Sequence, residues 1–137
     1  MIKQAIIPLA GLGTRMLPLT SVIPKELMPI NGKPNLQYIL EECVDAGIKE
    51  FIFIISKKKL SIKKYFFNDN FYKKTIKKKK DKRLIEEFKK IKKYQKMIKF
   101  VFQNKPKGTG DAVLKCRKFI KGKYFLMLLP DDLIIKN

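Results

Sequence analysis

The chain has 137 residues, 45% of them hydrophobic, and 32 Lys+Arg against 12 Asp+Glu give it a formal net charge of +20. That length and apolar content support one domain with a real core, and no apolar stretch reaches the length of a membrane span. With no histidine and only two cysteines, Cys43 and Cys116, lacking C-x-x-C spacing, the sequence argues against a zinc site or a disulfide framework.

A basic balance of this size raises nucleic acid or an anionic membrane surface as partners. More than half of the basic residues lie between Lys57 and Lys99, however, nearly all are Lys, and few aromatic residues are interleaved with them. This pattern reads as a solvated lysine-rich face, with no specific nucleic acid and no membrane as partner. The N-terminus, MIKQAIIPLAG, enters a strand and a glycine turn at once and offers no signal-peptide core, so the cytoplasm is the expected compartment.

Residues 3–9 read as a first strand, apolar on both faces, as in the centre of a parallel sheet covered by helices. The strand breaks into Gly11-Leu12-Gly13-Thr14-Arg15, a glycine turn whose exposed N–H groups suit a phosphate. Gly11 and Gly13 are expected to supply positive φ and close backbone approach, Arg15 a planar fork for phosphate oxygens, and Lys25 a movable point charge. Pro18, Pro24 and Pro29 preclude a long helix over residues 16–30, which should wrap over the strand end with Lys25 in an extended stretch. Asn31-Gly32 signals a tight turn.

Pro34 occupies an expected first helical position, and Leu36, Ile39, Leu40, Cys43 and Val44 recur at helical spacing until Gly47 stops the helix. Phe51–Ile55 reads as a buried strand, completing a right-handed βαβ unit. Between residues 57 and 97 lies a lysine-rich segment read as a helical insertion of two or three helices, with Lys77–Lys80 as an exposed join. Residues 98–102 are expected to form a strand ending at Gln103, Ala112–Ile120 a helix, and Tyr124–Leu129 a buried strand ending in Pro130-Asp131-Asp132. Both cysteines fall on expected helices and read as small core residues.

The pattern predicts a three-layer α/β domain with a mostly parallel sheet, whose strand-end loops converge on one edge. The turn at Gly11–Arg15, the segment Gln103–Gly110 and the pair Asp131-Asp132 would then form one site.

The stretch GLGTRMLPLTSVIPKELMPINGKP resembles, nearly residue for residue, the signature of bacterial UTP–glucose-1-phosphate uridylyltransferases. Lys107-Gly108-Thr109-Gly110-Asp111-Ala112 resembles that family's second nucleotide loop, with Thr109 and Asp111 replacing its usual Leu and His. The resemblance implies a Rossmann-like nucleotidyltransferase domain that makes UDP-glucose and pyrophosphate from UTP and glucose 1-phosphate. It implies that Arg15 and Lys25 act on the phosphates, and that Asp131 holds Mg²⁺. Ala10, Gly11, Gln103 and Gly108 would surround uracil, with Gly13, Thr14 and Glu26 also contacting UTP. The same resemblance expects the chain to be truncated, because the family's sugar-binding Glu-Lys pair and second metal-binding aspartate would follow Asn137. Two alternatives to the uridylyltransferase stay open: another sugar-1-phosphate nucleotidyltransferase, and a nucleotide-binding fragment without turnover. A basic nucleic-acid module is weaker, and self-association is left open.

Overall fold

The computed structural model of the protein describes residues 1–131. Its centre is a four-stranded, wholly parallel sheet of β1 (Gln4–Pro8), β4 (Glu50–Ile55), β5 (Ile98–Phe102) and β6 (Leu126–Met127), in the order β5-β4-β1-β6. A separate two-stranded hairpin, β2 (Pro29–Ile30) and β3 (Lys33–Pro34), turns at Asn31-Gly32. Both turn residues have positive φ, 50° and 78°, as a two-residue hairpin loop matching the strand twist requires.

Strand alternation sends side chains to two apolar layers. Ala5, Ile7, Phe51, Phe53 and Ile55 face α1 (Asn35–Asp45), α2 (Leu60–Phe67) and α4 (Lys82–Gln95), which bury Leu36, Ile39, Leu40, Ile62, Phe66, Ile91 and Tyr94 against them. Ile6, Ile52, Ile54 and Val101 face α5 (Gly108–Lys115), which contributes Ala112, with Cys116 just beyond it. The strand order explains the sidedness. The crossovers from β1 to β4 and from β4 to β5 run one way and place their helices on one face. The return from β5 to β6 passes over to the far side of β1 and lays α5 on the other face, as right-handed connections demand.

Helix α1 starts one residue later than expected, with Pro34 as its N-cap, and ends in a Schellman motif. Ile48 N–H donates to the Cys43 carbonyl and Gly47 N–H to that of Val44, with Gly47 at φ 95°. In the lysine-rich crossover, α3 (Asp69–Lys79) buries nothing, whereas α2 and α4 supply core residues. Lys77–Lys79 belong to the last turn of α3, and the join is made by Lys80, at φ 50°, and by Asp81, whose carboxylate accepts from Arg83 and Leu84 N–H.

Two expected elements are corrected. The helix expected over 112–120 begins at Gly108 and gives way to a 3-10 turn at Arg117–Phe119, because the loop glycines themselves form its first turn. The strand expected to be buried over 124–129 is reduced to Leu126–Met127 and lies at the sheet edge. Among the described residues it pairs only with β1, and Tyr124, Met127 and Leu129 are exposed. Cys43 and Cys116 are free and buried, and burial pushes each thiol up to about 11, with Glu42 adding to the shift at Cys43.

Candidate functional site

All four main strands point their carboxyl ends toward one edge, and the chain reverses its direction of progress across the sheet between β1 and β6. A parallel sheet opens a crevice at such a point. Two adjoining cavities occupy this edge. One, about 630 Å³, is lined by Gly13, Thr14, Arg15, Lys25, Asn35 and Asp131 among others. The second, about 530 Å³, is lined by Ala10, Gly11, Glu26, Ser56, Gln103 and Gly108 among others. Lys25, Pro130 and Asp131 line both and so stand between them. Every site residue expected from the sequence lines one or both of these cavities. Asp132, the second member of the acidic pair, lies outside the described residues.

The glycine turn is built by division of labour. Gly13 takes φ 66°, and a Cβ there would meet Thr20 Cγ2 at 3.1 Å, while Thr20 Oγ1 donates to the Gly13 carbonyl at 2.7 Å. Gly11, expected to share the positive φ, does not. A Cβ on Gly11 would meet nothing within 4 Å, so its contribution is open space on the cleft side. Thr14-Arg15-Met16 then forms a 3-10 turn carrying exposed Arg15.

Lys25 is not in the extended stretch expected for it; it opens a 3-10 turn, Lys25–Leu27, with Leu27 N–H donating to the Pro24 carbonyl at 2.9 Å. Pro24 fixes the entry to this turn, which sends neighbouring side chains to opposite ends of the site. Lys25 Nζ donates to Asp131 Oδ1 at 2.5 Å. Glu26 turns inward, and both its oxygens accept from Lys59 Nζ, at 2.8 and 2.9 Å, in an ion pair almost wholly withdrawn from water.

Gln103 sits one residue beyond β5, its backbone N–H donating to the Ile55 carbonyl. Its side-chain Nε2 donates to the Gly108 carbonyl at 3.1 Å and to Asp111 Oδ2 at 2.8 Å. Asn104 Oδ1 accepts from Lys57 N–H and ties the loops after β4 and β5 together.

Two polar residues went unread in the sequence. Ser56, the first residue beyond β4, lines the second cavity with its Oγ buried; Asn35 lines the first, its Nδ2 donating to the Pro130 carbonyl, and among the described residues neither the Ser56 Oγ nor the buried Asn35 Oδ1 has a hydrogen-bond partner. Ser56 could have been found from its place at the carboxyl end of an expected central strand. Among the described residues no three acidic, Cys or His side chains cluster as a metal site. No described helix is long and apolar enough to cross a membrane.

The model of the nucleotidyl transferase family matches residues 4–137. Over 133 residues, 97% of the chain, it is 41% identical to the UTP–glucose-1-phosphate uridylyltransferase of Bacillus subtilis. It is 42% identical to that of Mycoplasma pneumoniae over the same length. The structure of UTP-bound UGPase from Acinetobacter baumannii superposes with a TM-score of 0.90 at 36% identity, covering all of this chain. The chain spans 45% of the length of the two curated relatives and 48% of the solved chain.

Proposed function

Since the chain belongs to the nucleotidyl transferase family, we propose that its cleft binds UTP and serves uridylyl transfer to glucose 1-phosphate, yielding UDP-glucose and pyrophosphate. The observation that carries this reading is the meeting of Lys25 with Asp131, 106 positions apart, between two cavities at the switch point of the sheet. The identity to named uridylyltransferases supports the choice of nucleotide and sugar.

In this reaction an oxygen of the sugar phosphate attacks the α-phosphorus of UTP, and the bond to the bridging oxygen breaks as pyrophosphate leaves with the charge. Catalysis of such a step rests on alignment and charge neutralisation. Arg15 and the N–H groups of the turn from Gly11 to Thr14 hold the departing phosphates, and Lys25 neutralises charge near the α-phosphorus. Ala10, Gly11, Gln103 and Gly108 enclose the uracil. Glu26, bound to Lys59, keeps the floor of the nucleotide cavity in shape.

Asp131 supplies a carboxylate with one oxygen not engaged by Lys25. A single carboxylate completed by substrate phosphates and water suits Mg²⁺, so Asp131 fits as its protein ligand. When bound, the ion would neutralise phosphate charge. A cytoplasmic setting, with both buried cysteines reduced, goes with this reading.

Titration calorimetry with UTP tests it: Lys25→Ala should weaken binding by about 1–3 kcal/mol, the scale of a charge-assisted hydrogen bond. Equal affinity for the two proteins would remove Lys25 from the site. A second reading, nucleotide binding without turnover by these 137 residues, is favoured because among the described residues no three acidic, Cys or His side chains gather at Asp131 as a metal site. Assaying pyrophosphate release from UTP, glucose 1-phosphate and Mg²⁺ separates the two.

A further inference from the structure

We infer that Asp111 is a positioning residue that locks the Gln103 amide so that only its oxygen faces the cleft, making this site a reader of a pyrimidine N3–H donor. The inference rests on the nucleotide reading above and deepens it. A free Gln amide presents both a donor and an acceptor and can turn over to suit its ligand. At Gln103 that freedom is gone. The Gly108 carbonyl and the Asp111 carboxylate both accept, and both lie on one side of the amide, at 3.1 and 2.8 Å from Nε2. An amide nitrogen carries two hydrogens, so these two acceptors use them both and leave Oε1 for the cavity that Gln103 lines.

Gln103 is also held in place as a whole. Its backbone N–H is tied to Ile55, and its side chain is buried between the end of β5 and the first turn of α5, where Asp111 sits. Turning the amide over would set Oε1 against two oxygen acceptors and strand them both, a repulsive and unpaired arrangement. Uracil offers a hydrogen at N3, which Oε1 accepts. Cytosine offers a lone pair at N3, which Oε1 repels. The selectivity therefore arises from Asp111, a residue that need not touch the base.

Calorimetric Kd values for UTP and CTP on the 137-residue chain and its variants test this. The wild type should prefer UTP, and Gln103→Ala should abolish the preference. Asp111→Ala should narrow the ratio of the two Kd values by about tenfold, the worth of a charge-assisted hydrogen bond. Asp111→Asn, which can still place an oxygen against Nε2, should keep the ratio within about threefold of wild type on the scale of a retained neutral hydrogen bond. A purely structural role for Asp111 would weaken both nucleotides alike and leave the ratio unmoved. If the preference for UTP depends on Gln103 but is the same in Asp111→Ala, the inference is overturned and the nucleotide reading stands. If the wild type shows no preference for UTP, both fall. Circular dichroism checks folding, and Asp111→Ser replaces Asp111→Ala, with the same outcomes, should the alanine variant not fold.

Discussion

Lys25 and Glu26 are neighbours in sequence, yet they make two ion pairs of opposite character. Glu26 and Lys59 are 1% and 6% exposed, and Glu26, held by Lys59, lines the floor of the cleft. Lys25 and Asp131 meet at its mouth, where their side chains keep 26% and 58% of their exposure. Desolvating two charges is costly, so the inner pair holds only because each member finds the other at close range, with both carboxylate oxygens engaged. The outer pair stays hydrated and weak, so its members can exchange each other for phosphate or metal at little cost. One tripeptide turn thus provides both a fixed floor and an adaptable gate.

The difference is broken most severely at the floor. Glu26→Ala leaves the Lys59 ammonium buried without a partner and should cost about 3–5 kcal/mol of folding stability. Urea denaturation followed by circular dichroism measures it. The double variant Glu26→Gln with Lys59→Met, which removes both charges together, should recover much of the loss. A Glu26→Ala cost below about 1 kcal/mol, the range of a surface pair, would erase the distinction between floor and mouth.

At the mouth the same kind of change should act on binding and leave folding nearly untouched. Asp131→Asn should alter stability by less than about 1 kcal/mol, and any loss should shrink as salt is added. In contrast, on the proposed function Mg²⁺ should raise the affinity of the wild type for UTP and raise that of Asp131→Asn less, as seen by calorimetry with and without the ion. A loss of stability matching that of Glu26→Ala would show the outer pair to be structural as well.

How much of this was legible beforehand follows the range of the forces involved. Ile6-Ile7 and Phe51–Ile55 announce central strands because burial on both faces leaves no place for polar residues, and Asn31-Gly32 and Gly47 announce their turns through backbone sterics. The convergence of Gly13, Gln103 and Asp131 also followed from strand ends sharing one edge. The Glu26–Lys59 pair was hidden because Lys59 lies in the run Lys57-Lys58-Lys59, where nothing local separates the buried member from its exposed neighbours. Ser56 was passed over because it ends an apolar run with a small, common residue. The exposure of Leu129, just beyond β6, goes with β6 having a neighbour on one side only among the described residues, which an apolar run cannot reveal about itself.

The smallest expected effect lies at the opposite edge of the sheet, where a third kind of pair sharpens the contrast. Glu50 opens β4, and its carboxylate accepts from Lys121 Nζ at 2.5 Å and from Gln4 Nε2 at 3.0 Å, on the rim rather than in the core. The Lys121 hydrogen bond first, and then that of Gln4, hold this carboxyl below its ordinary value of 4.5, with partial burial opposing them. A carboxyl depressed in the folded state contributes stability that is fully present above its unfolded value. That contribution is lost as pH falls below 4.5 and through the folded value. Because the Lys121 side chain is 61% exposed, the contribution should be only about 0.2–1 kcal/mol. Glu50→Gln should therefore lower the urea midpoint slightly at pH 7, and the gap to wild type should narrow as pH falls from 4.5 towards 3. The Glu26→Ala gap should exceed it several-fold at pH 7, since only that variant abandons a charge inside the protein. A Glu50→Gln gap that stays constant from pH 7 to pH 3 would mean that packing around Gln4, and not the carboxylate's charge, supplies the effect.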